Sequence, residues 1–466
     1  MFLGVLVFVV GMASLGAEIA GVRLLAPYFG ASTVVWANTI GVVLVALSIG
    51  YWLGGRAADR RPRIEPLCFV ALGAAVLLAI VPFAAHPLLD AGVEALDAVS
   101  AGAFVGSLLA VLVLIALPVL LLGMVAPWAL RLAVVTVDEA GTVAGRLYAL
   151  STAGSLFGTL ISALVLIPAV GTRRTFLAFA ICLAVVAVLG IRSHRRVAAV
   201  PVLIVALFAL PTDTIKPAKN GRVIYEKETE YQYARVIERA GGERRLELNE
   251  GHAVHSLYRP GTVLTNDYWD AMLFDSGEPR SVAILGNAAG TTARAFDKLR
   301  PATRIDAVEI DPELTKIGRR WFGLPRSIRV HHEDARPFLR RHDDGRWDAI
   351  LVDAYRQPYI PFYLVTKEFF ELARDRLTPG GRVVVNVGHP NGNDALEKAM
   401  TATMHSVFAD VRRDPAMPTN TVLVAGAKLD GGRLLPGLPG GETYTDDRAP
   451  VEWLIDRSLV EYAATP

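Results

Sequence analysis

The chain has 466 residues, of which 53% are hydrophobic and 20% charged, with a formal net charge of +2. So nearly neutral a balance excludes the basic field of a nucleic-acid binder and the block charge of an acidic tail. The only two cysteines, Cys68 and Cys182, both lie in apolar runs, which excludes a disulfide framework or a cysteine metal site.

Charge is unevenly distributed, almost absent from the apolar runs of the first part and dense in the second. An apolar helix of about 20 residues crosses a hydrocarbon core of roughly 30 Å. Seven candidate runs lie near residues 2–25, 34–55, 66–88, 103–130, 146–169, 174–191 and 197–211. The first has no basic segment ahead of it and is followed by further spans, so it is predicted to be retained as a span, not cleaved as a signal peptide. The turn with Arg56, Arg60, Arg61 and Arg63 and the turn with Arg192, Arg195 and Arg196 are basic and predicted cytoplasmic. The segment with Asp90, Glu94 and Asp97 is predicted to be an external loop. A seventh full span would carry the rest of the chain outside. That run is the shortest and holds Pro201 and Pro211, so six or seven spans are allowed, and six, with a cytoplasmic second half, are preferred.

Glu18 and Arg23 in the first span read as helix-end charges reaching the interface, with a substrate path as the alternative. Gly154 and Gly158 in the fifth span predict close helix packing.

Residues 1–212 are thus expected to form an all-α transmembrane bundle. Residues 213–280 are expected to be a linker and small antiparallel β-module, with strands at Arg222 to Glu228, Tyr233 to Glu238 and Arg245 to Leu248. Residues 281–466 are expected to be a Rossmann-like α/β domain, because the strand-like runs Val282 to Leu285, Arg304 to Val308, Ile328 to His331, Ala349 to Val352 and Arg382 to Val387 alternate with helical stretches.

In such a fold, ligands sit beyond the carboxyl ends of the strands. After the first strand comes Gly286-Asn287-Ala288-Ala289-Gly290, small residues opening a helix, with Gly286 and Gly290 placed to let backbone approach a nucleotide. Glu309 ends the second strand about 20 residues on, where an acid accepts hydrogen bonds from ribose hydroxyls. Asp334 follows the third strand and Asp353 ends the fourth. A helix N-cap explains any one of these acids; the three together predict a shared crevice. His331 and His332 are adjacent on a strand and point to opposite faces, so no metal site is expected.

These residues resemble the spermidine synthase (polyamine aminopropyltransferase) family, with its S-adenosylmethionine methyltransferase-like fold. The resemblance rests on AVEIDPEL at 307–314, EDARPFLR at 333–340, WDAILVDAY at 347–355 and TKEFFELARDRLTPGGRVVVNV at 366–387, with ETEYQYARVIE at 228–238 and DDRAPVEWL at 446–454. The apolar half resembles the membrane portion of the fused members at 116–132 and 145–171. The resemblance implies that Glu309 holds the ribose, that Asp334 and Ala335 meet the adenine amino group, and that Gln232 contacts the nucleoside. It further implies that Asp353 orients or deprotonates the attacking amine. Tyr355 and Tyr359 are candidates for the wall of an acceptor pocket.

Two positions depart from the family pattern. Ala289 stands where the glycine loop usually carries an aspartate, and Arg356 stands where soluble members place a second acid for the polyamine. The expected co-substrate is decarboxylated S-adenosylmethionine or S-adenosylmethionine, without metal. The expected partners are the lipid bilayer and a small amine acceptor, with a homodimer allowed and no nucleic acid. Location is expected in the cell (inner) membrane, multi-pass. Aminopropyl transfer leads; methyl transfer to a small or lipid-borne acceptor, and a transporter or scaffold with a nucleoside-sensing domain, are the alternatives.

Overall fold

The computed structural model describes every residue except 31–32, 100–102, 212–213, 252, 356–358, 430–431 and 464–466, and describes the backbone alone at 90–99, 103, 195, 460 and 462–463. Two compact units result: Met1–Lys216 with Lys227–Tyr233, and Pro217–Glu226 with Ala234–Pro466.

The first unit is helical. Its elements are α1 (Phe2–Phe29), α2 (Thr33–Arg60), α3 (Ile64–Val99), α4 (Ala103–Leu114), α5 (Ala116–Ala133), α6 (Ala140–Ile161), a π-helical turn (Ser162–Leu166), α7 (Ile167–Leu189) and α8 (Ala199–Ala209). Among the described residues, five stretches are long and apolar enough to cross a membrane: Phe2–Phe29, Thr33–Arg60, Ile64–Leu89, Ala116–Ala133 and Ala140–Leu189. The last is two helices, because Gly171 has φ 84° and ψ 166° and turns the chain. The fourth predicted span is interrupted at Ile115, close to Pro118, whose missing N–H and bulky ring cannot continue the helix bonding to Leu114. At 11 residues, α8 rises only about 16 Å, short of a full crossing.

One expectation is corrected here. Asp90, Glu94 and Asp97 do not form a loop; α3 runs on to Val99, since the intervening Ala, Leu and Glu residues favour helix and no capping Gly-Pro pair stops it.

The bundle is held by close backbone approach. A Cβ at Gly154 would lie 2.0 Å from the Phe8 carbonyl oxygen, and one at Gly158 2.1 Å from that of Met12, so α1 and α6 meet over glycine. Buried Asn38 on α2 donates to Ser107 Oγ of α4 at 2.9 Å. Arg23 donates to the Thr229 carbonyl, and the Glu228 carboxylate accepts from Thr172 N at 2.6 Å and from the Thr172 hydroxyl, which ties the segment Lys227–Tyr233 to the helices.

The second unit contains β1 (Arg222–Glu228) as far as Glu226, β2 (Tyr233–Glu238) from Ala234 on, β3 (Arg244–Leu248), β4 (Val254–Tyr258), α9 (Tyr268–Asp275), β5 (Ser281–Leu285), α10 (Thr291–Leu299), β6 (Arg304–Val308), α11 (Pro312–Trp321) and β7 (Arg329–His331). There follow α12 (Ala335–Arg340), β8 (Trp347–Val352), α13 (Lys367–Asp375), β9 (Leu377–Gly388), α14 (Ala395–His405), β10 (Asp410–Met417), β11 (Asn420–Gly426), β12 (Leu435–Pro436) and α15 (Val451–Ala463). The first four strands form one sheet in sequence order, with β2–β3 and β3–β4 antiparallel and its fourth strand unforeseen. The other eight form a sheet of order β12-β10-β11-β9-β8-β5-β6-β7, parallel from β9 to β7 and antiparallel beyond. The unit is a Rossmann-like α/β domain. Its central strands are largely apolar and buried, as expected where helices cover both faces: β5 is buried at all five positions.

Candidate active site

Parallel register places the ends of neighbouring strands side by side. Leu285 pairs with both Val308 and Val352, Val308 with His331, and Val352 with Val385. The residues that follow, Gly286, Glu309, His332, Asp353 and Asn386, therefore line one edge of the sheet.

The turn after β5 is built around this edge. Gly286 has φ 89°, and a Cβ there would lie 2.5 Å from the Asp353 carbonyl oxygen and 2.6 Å from Ala354 Cα, so only glycine fits between the two strands. Ala288 adopts φ 46°, unusual for a residue with a side chain. That conformation aims its amide at Glu309 Oε2, 2.7 Å away, while Asp311 N donates to Glu309 Oε1 at 2.9 Å. Gly290, also left-handed, begins α10.

Glu309 is 6% exposed, and burial pushes its carboxyl up to about 7 even though backbone N–H groups favour the charged form. Asp353 is pushed up to about 7 as well, again chiefly by desolvation. Its Oδ1 accepts from Asn386 Nδ2 at 2.8 Å and its Oδ2 from the Tyr268 hydroxyl at 3.3 Å, with the Trp269 indole a further donor. Asn386 in turn accepts from Asn420 Nδ2 at 3.0 Å. Tyr355 closes this side: its hydroxyl donates to the Asn386 carbonyl at 3.1 Å and accepts from Gly388 N at 2.6 Å. A carboxylate held in this way, with a proton affinity raised to near neutrality, is suited to receive a proton from a reacting group.

Other predicted residues are occupied differently. Asp334 caps α12, its Oδ1 accepting from Arg336 N at 2.9 Å and its Oδ2 from the Tyr363 hydroxyl at 2.6 Å, with Ala335 the first, buried residue of that helix. Asp334 thus takes the capping role that was the simpler reading of its position. The ring of Tyr359, expected at the acceptor wall, packs in the hydrophobic core, and its hydroxyl donates to Asp456 on α15. Gln232 belongs to the helical unit's segment, where its carbonyl accepts from Thr229 N at 2.8 Å. Arg356 lies outside the described residues. His331 and His332 face different neighbours, Asp306 at 3.4 Å and Thr315 at 3.1 Å.

Tyr268, Trp269, Asn386 and Asn420 are not predicted from the sequence, because aromatic and amide residues carry no strand-end signature of the kind the carboxylates do. Asn386 did leave a signal, a single amide within the apolar run Val383–Val387.

The sequence profile of the spermine/spermidine synthase domain matches residues 268–424, the stretch from Tyr268 through β11. A probable polyamine aminopropyl transferase of Bifidobacterium longum is 34% identical over 190 residues, covering 40% of this chain and 42% of that protein. A polyamine aminopropyltransferase of Vibrio vulnificus is 30% identical over 224 residues, covering 44% of this chain and 73% of that protein. The chain thus spans less than half the length of the first relative and nearly three quarters of the second. The crystal structure of a probable spermidine synthase from Corynebacterium glutamicum is 24% identical, with a TM-score of 0.39 over 44% of this chain and 80% of that one. This chain belongs to the spermine/spermidine synthase family.

Proposed function

We propose that this chain is a membrane-anchored transferase that moves an aminopropyl group from decarboxylated S-adenosylmethionine to an amine acceptor. The observation that carries the reading is Asp353, fixed by Tyr268 and Asn386 beside the Gly286 turn and tuned to about 7.

In this reaction the lone pair of a neutral amine attacks the carbon bound to the sulfonium. The C–S bond breaks, its electron pair stays on sulfur as a neutral thioether, and the amine's proton passes to Asp353. Little covalent work falls to the protein; holding donor and acceptor in line and accepting one proton supply the acceleration. Glu309, already polarised by two backbone amides, is the residue proposed to hold the ribose. The apolar helices anchor the enzyme in the cell membrane. Their basic turns at Arg56 to Arg63 and Arg192 to Arg196 favour a cytoplasmic catalytic unit.

Methyl transfer from S-adenosylmethionine is the second reading, favoured by Ala289, which leaves the Gly286–Gly290 turn without a carboxylate. Incubating the purified full chain with each donor, labelled in the transferred group, and with a panel of amines decides between the two. Label transfer from the decarboxylated donor supports the first reading, and transfer from the carboxylated donor alone removes it.

A further inference from the structure

The turn after β5 has committed all five of its backbone donors. Gly286 N and Asn287 N both go to the Val308 carbonyl at 3.0 Å, Ala288 N to Glu309 at 2.7 Å, Ala289 N to Ser256 Oγ at 3.0 Å and Gly290 N to the Asn287 carbonyl at 2.8 Å. The polar group this turn still offers is the side-chain amide of Asn287. It is 5% exposed, and neither Oδ1 nor Nδ2 has a hydrogen-bond partner among the described residues.

Leaving a buried amide unpaired costs about 1–3 kcal/mol per group, so a residue kept only for packing would be apolar. An unpaired buried polar atom of this kind calls for a ligand or water that completes it. Asn287 also stands in the right place. It follows the glycine that lets the turn lie against the Asp353 and Ala354 backbone, so it is carried on a loop packed beside the strand end that bears the proposed proton acceptor.

We propose that Asn287 reads the amino-acid-derived tail of the sulfonium donor, its Oδ1 accepting from the tail's ammonium group. The inference rests on the adenosyl-donor reading above and specifies which residue sets donor selectivity. A carboxylate at this point would grip an ammonium by charge and repel a donor that keeps its own carboxylate. The neutral amide does neither, and its Nδ2–H groups can donate to that carboxylate. The site therefore accepts carboxylated and decarboxylated donors with affinities within about tenfold of each other, a gap of about 1.4 kcal/mol.

Equilibrium binding to the full chain in detergent tests this with three ligands: S-adenosylmethionine, its decarboxylated form, and methylthioadenosine, which has no tail. Asn287→Ala should weaken both tailed ligands about tenfold while leaving methylthioadenosine within about twofold, the loss of one hydrogen bond to a charged group. Asn287→Asp should restore the decarboxylated donor and not the carboxylated one, separating them by about tenfold or more. The thermal midpoint of ligand-free Asn287→Ala should not fall. Equal losses for all three ligands, no loss for any, or a lowered midpoint in the ligand-free variant overturns the proposal by making the amide structural or idle. Wild-type protein that binds none of the three would remove the adenosyl-donor reading itself, whereas an unaffected Asn287→Ala variant removes only this inference.

Discussion

The Tyr268 hydroxyl donates to Asp353 Oδ2 across 3.3 Å, joining the first turn of α9 to the end of β8. Together with Asn386 on β9, it fixes the carboxylate from two sides and leaves part of its acceptor capacity for a reactant.

Asp353→Asn should keep this hydrogen-bonded geometry while removing the proton acceptor. Turnover is expected to drop by about 10²–10⁴-fold, the usual share of a general base. Methylthioadenosine binding should change little. A variant that retains wild-type kcat would remove Asp353 from the reaction.

Activity and stability should respond to pH in opposite senses. Proton acceptance needs ionised Asp353, so kcat should rise through about pH 7 and level off above it. Asp353 and Glu309 both hold protons more tightly folded than unfolded, so their contribution to stability is complete below the unfolded-chain values near 4. It is lost as pH rises through about 7. Asp353→Asn should accordingly gain stability at alkaline pH, by on the order of 1–3 kcal/mol. Denaturant midpoints of wild type and variant, measured on either side of neutrality, check the sign.

Ala288 sits at φ 46°, a left-handed conformation that costs a residue with a Cβ about 1 kcal/mol. Ala288→Gly should relieve that strain and raise the unfolding midpoint. The gain should shrink in Glu309→Gln, since Glu309 is what holds the Ala288 amide in place. A destabilised Ala288→Gly would show that the strain is absent.

Asp334→Ala should cost about 1 kcal/mol through loss of the α12 cap. The same substitution should weaken adenosine ligands if Asp334 also reaches the adenine. Comparing the stability loss with the affinity loss separates the two roles.

In the helical unit, Gly158→Leu should prevent α1 and α6 from meeting, because even a Cβ would overlap the Met12 carbonyl oxygen at 2.1 Å. A small increment of overpacking costs about 1–3 kcal/mol, and a leucine against backbone exceeds that. The expected readout is a sharp fall in monodisperse protein after detergent extraction.

Much of this architecture is written in local patterns. The apolar runs become helices over lengths that their periodicity and composition already mark, and the strand ranges at 304–308 and 222–228 follow from alternation or continuous apolarity. What failed to show in the pattern depended on neighbours distant in sequence. The continuation of α3 past Leu89 adds an acidic stretch whose composition fits helix and loop alike. Strands β10 and β11 are antiparallel additions, and β4 is a short strand with no distinctive alternation. At the site, the positions of the acids after strands were legible, but Asp334's capping and Tyr359's burial against α15 depend on Tyr363 and Asp456, 29 and 97 residues away. The polar clamp on Asp353 was hidden for the same reason, its members lying 85 residues before it and 33 after.

The connection order of the large sheet has a consequence of its own. From β5 the chain passes through α10 to β6 on one side, and from β8 through α13 to β9 on the other. Where winding reverses in this way, the two outgoing loops part and leave a notch formed by main chain alone. That opening precedes any choice of side chain. Exchanging residues on its rim alters which molecule is retained and what happens to it, while the apolar strands underneath need not change. A few turn positions can therefore carry a shift in chemistry at almost no structural cost.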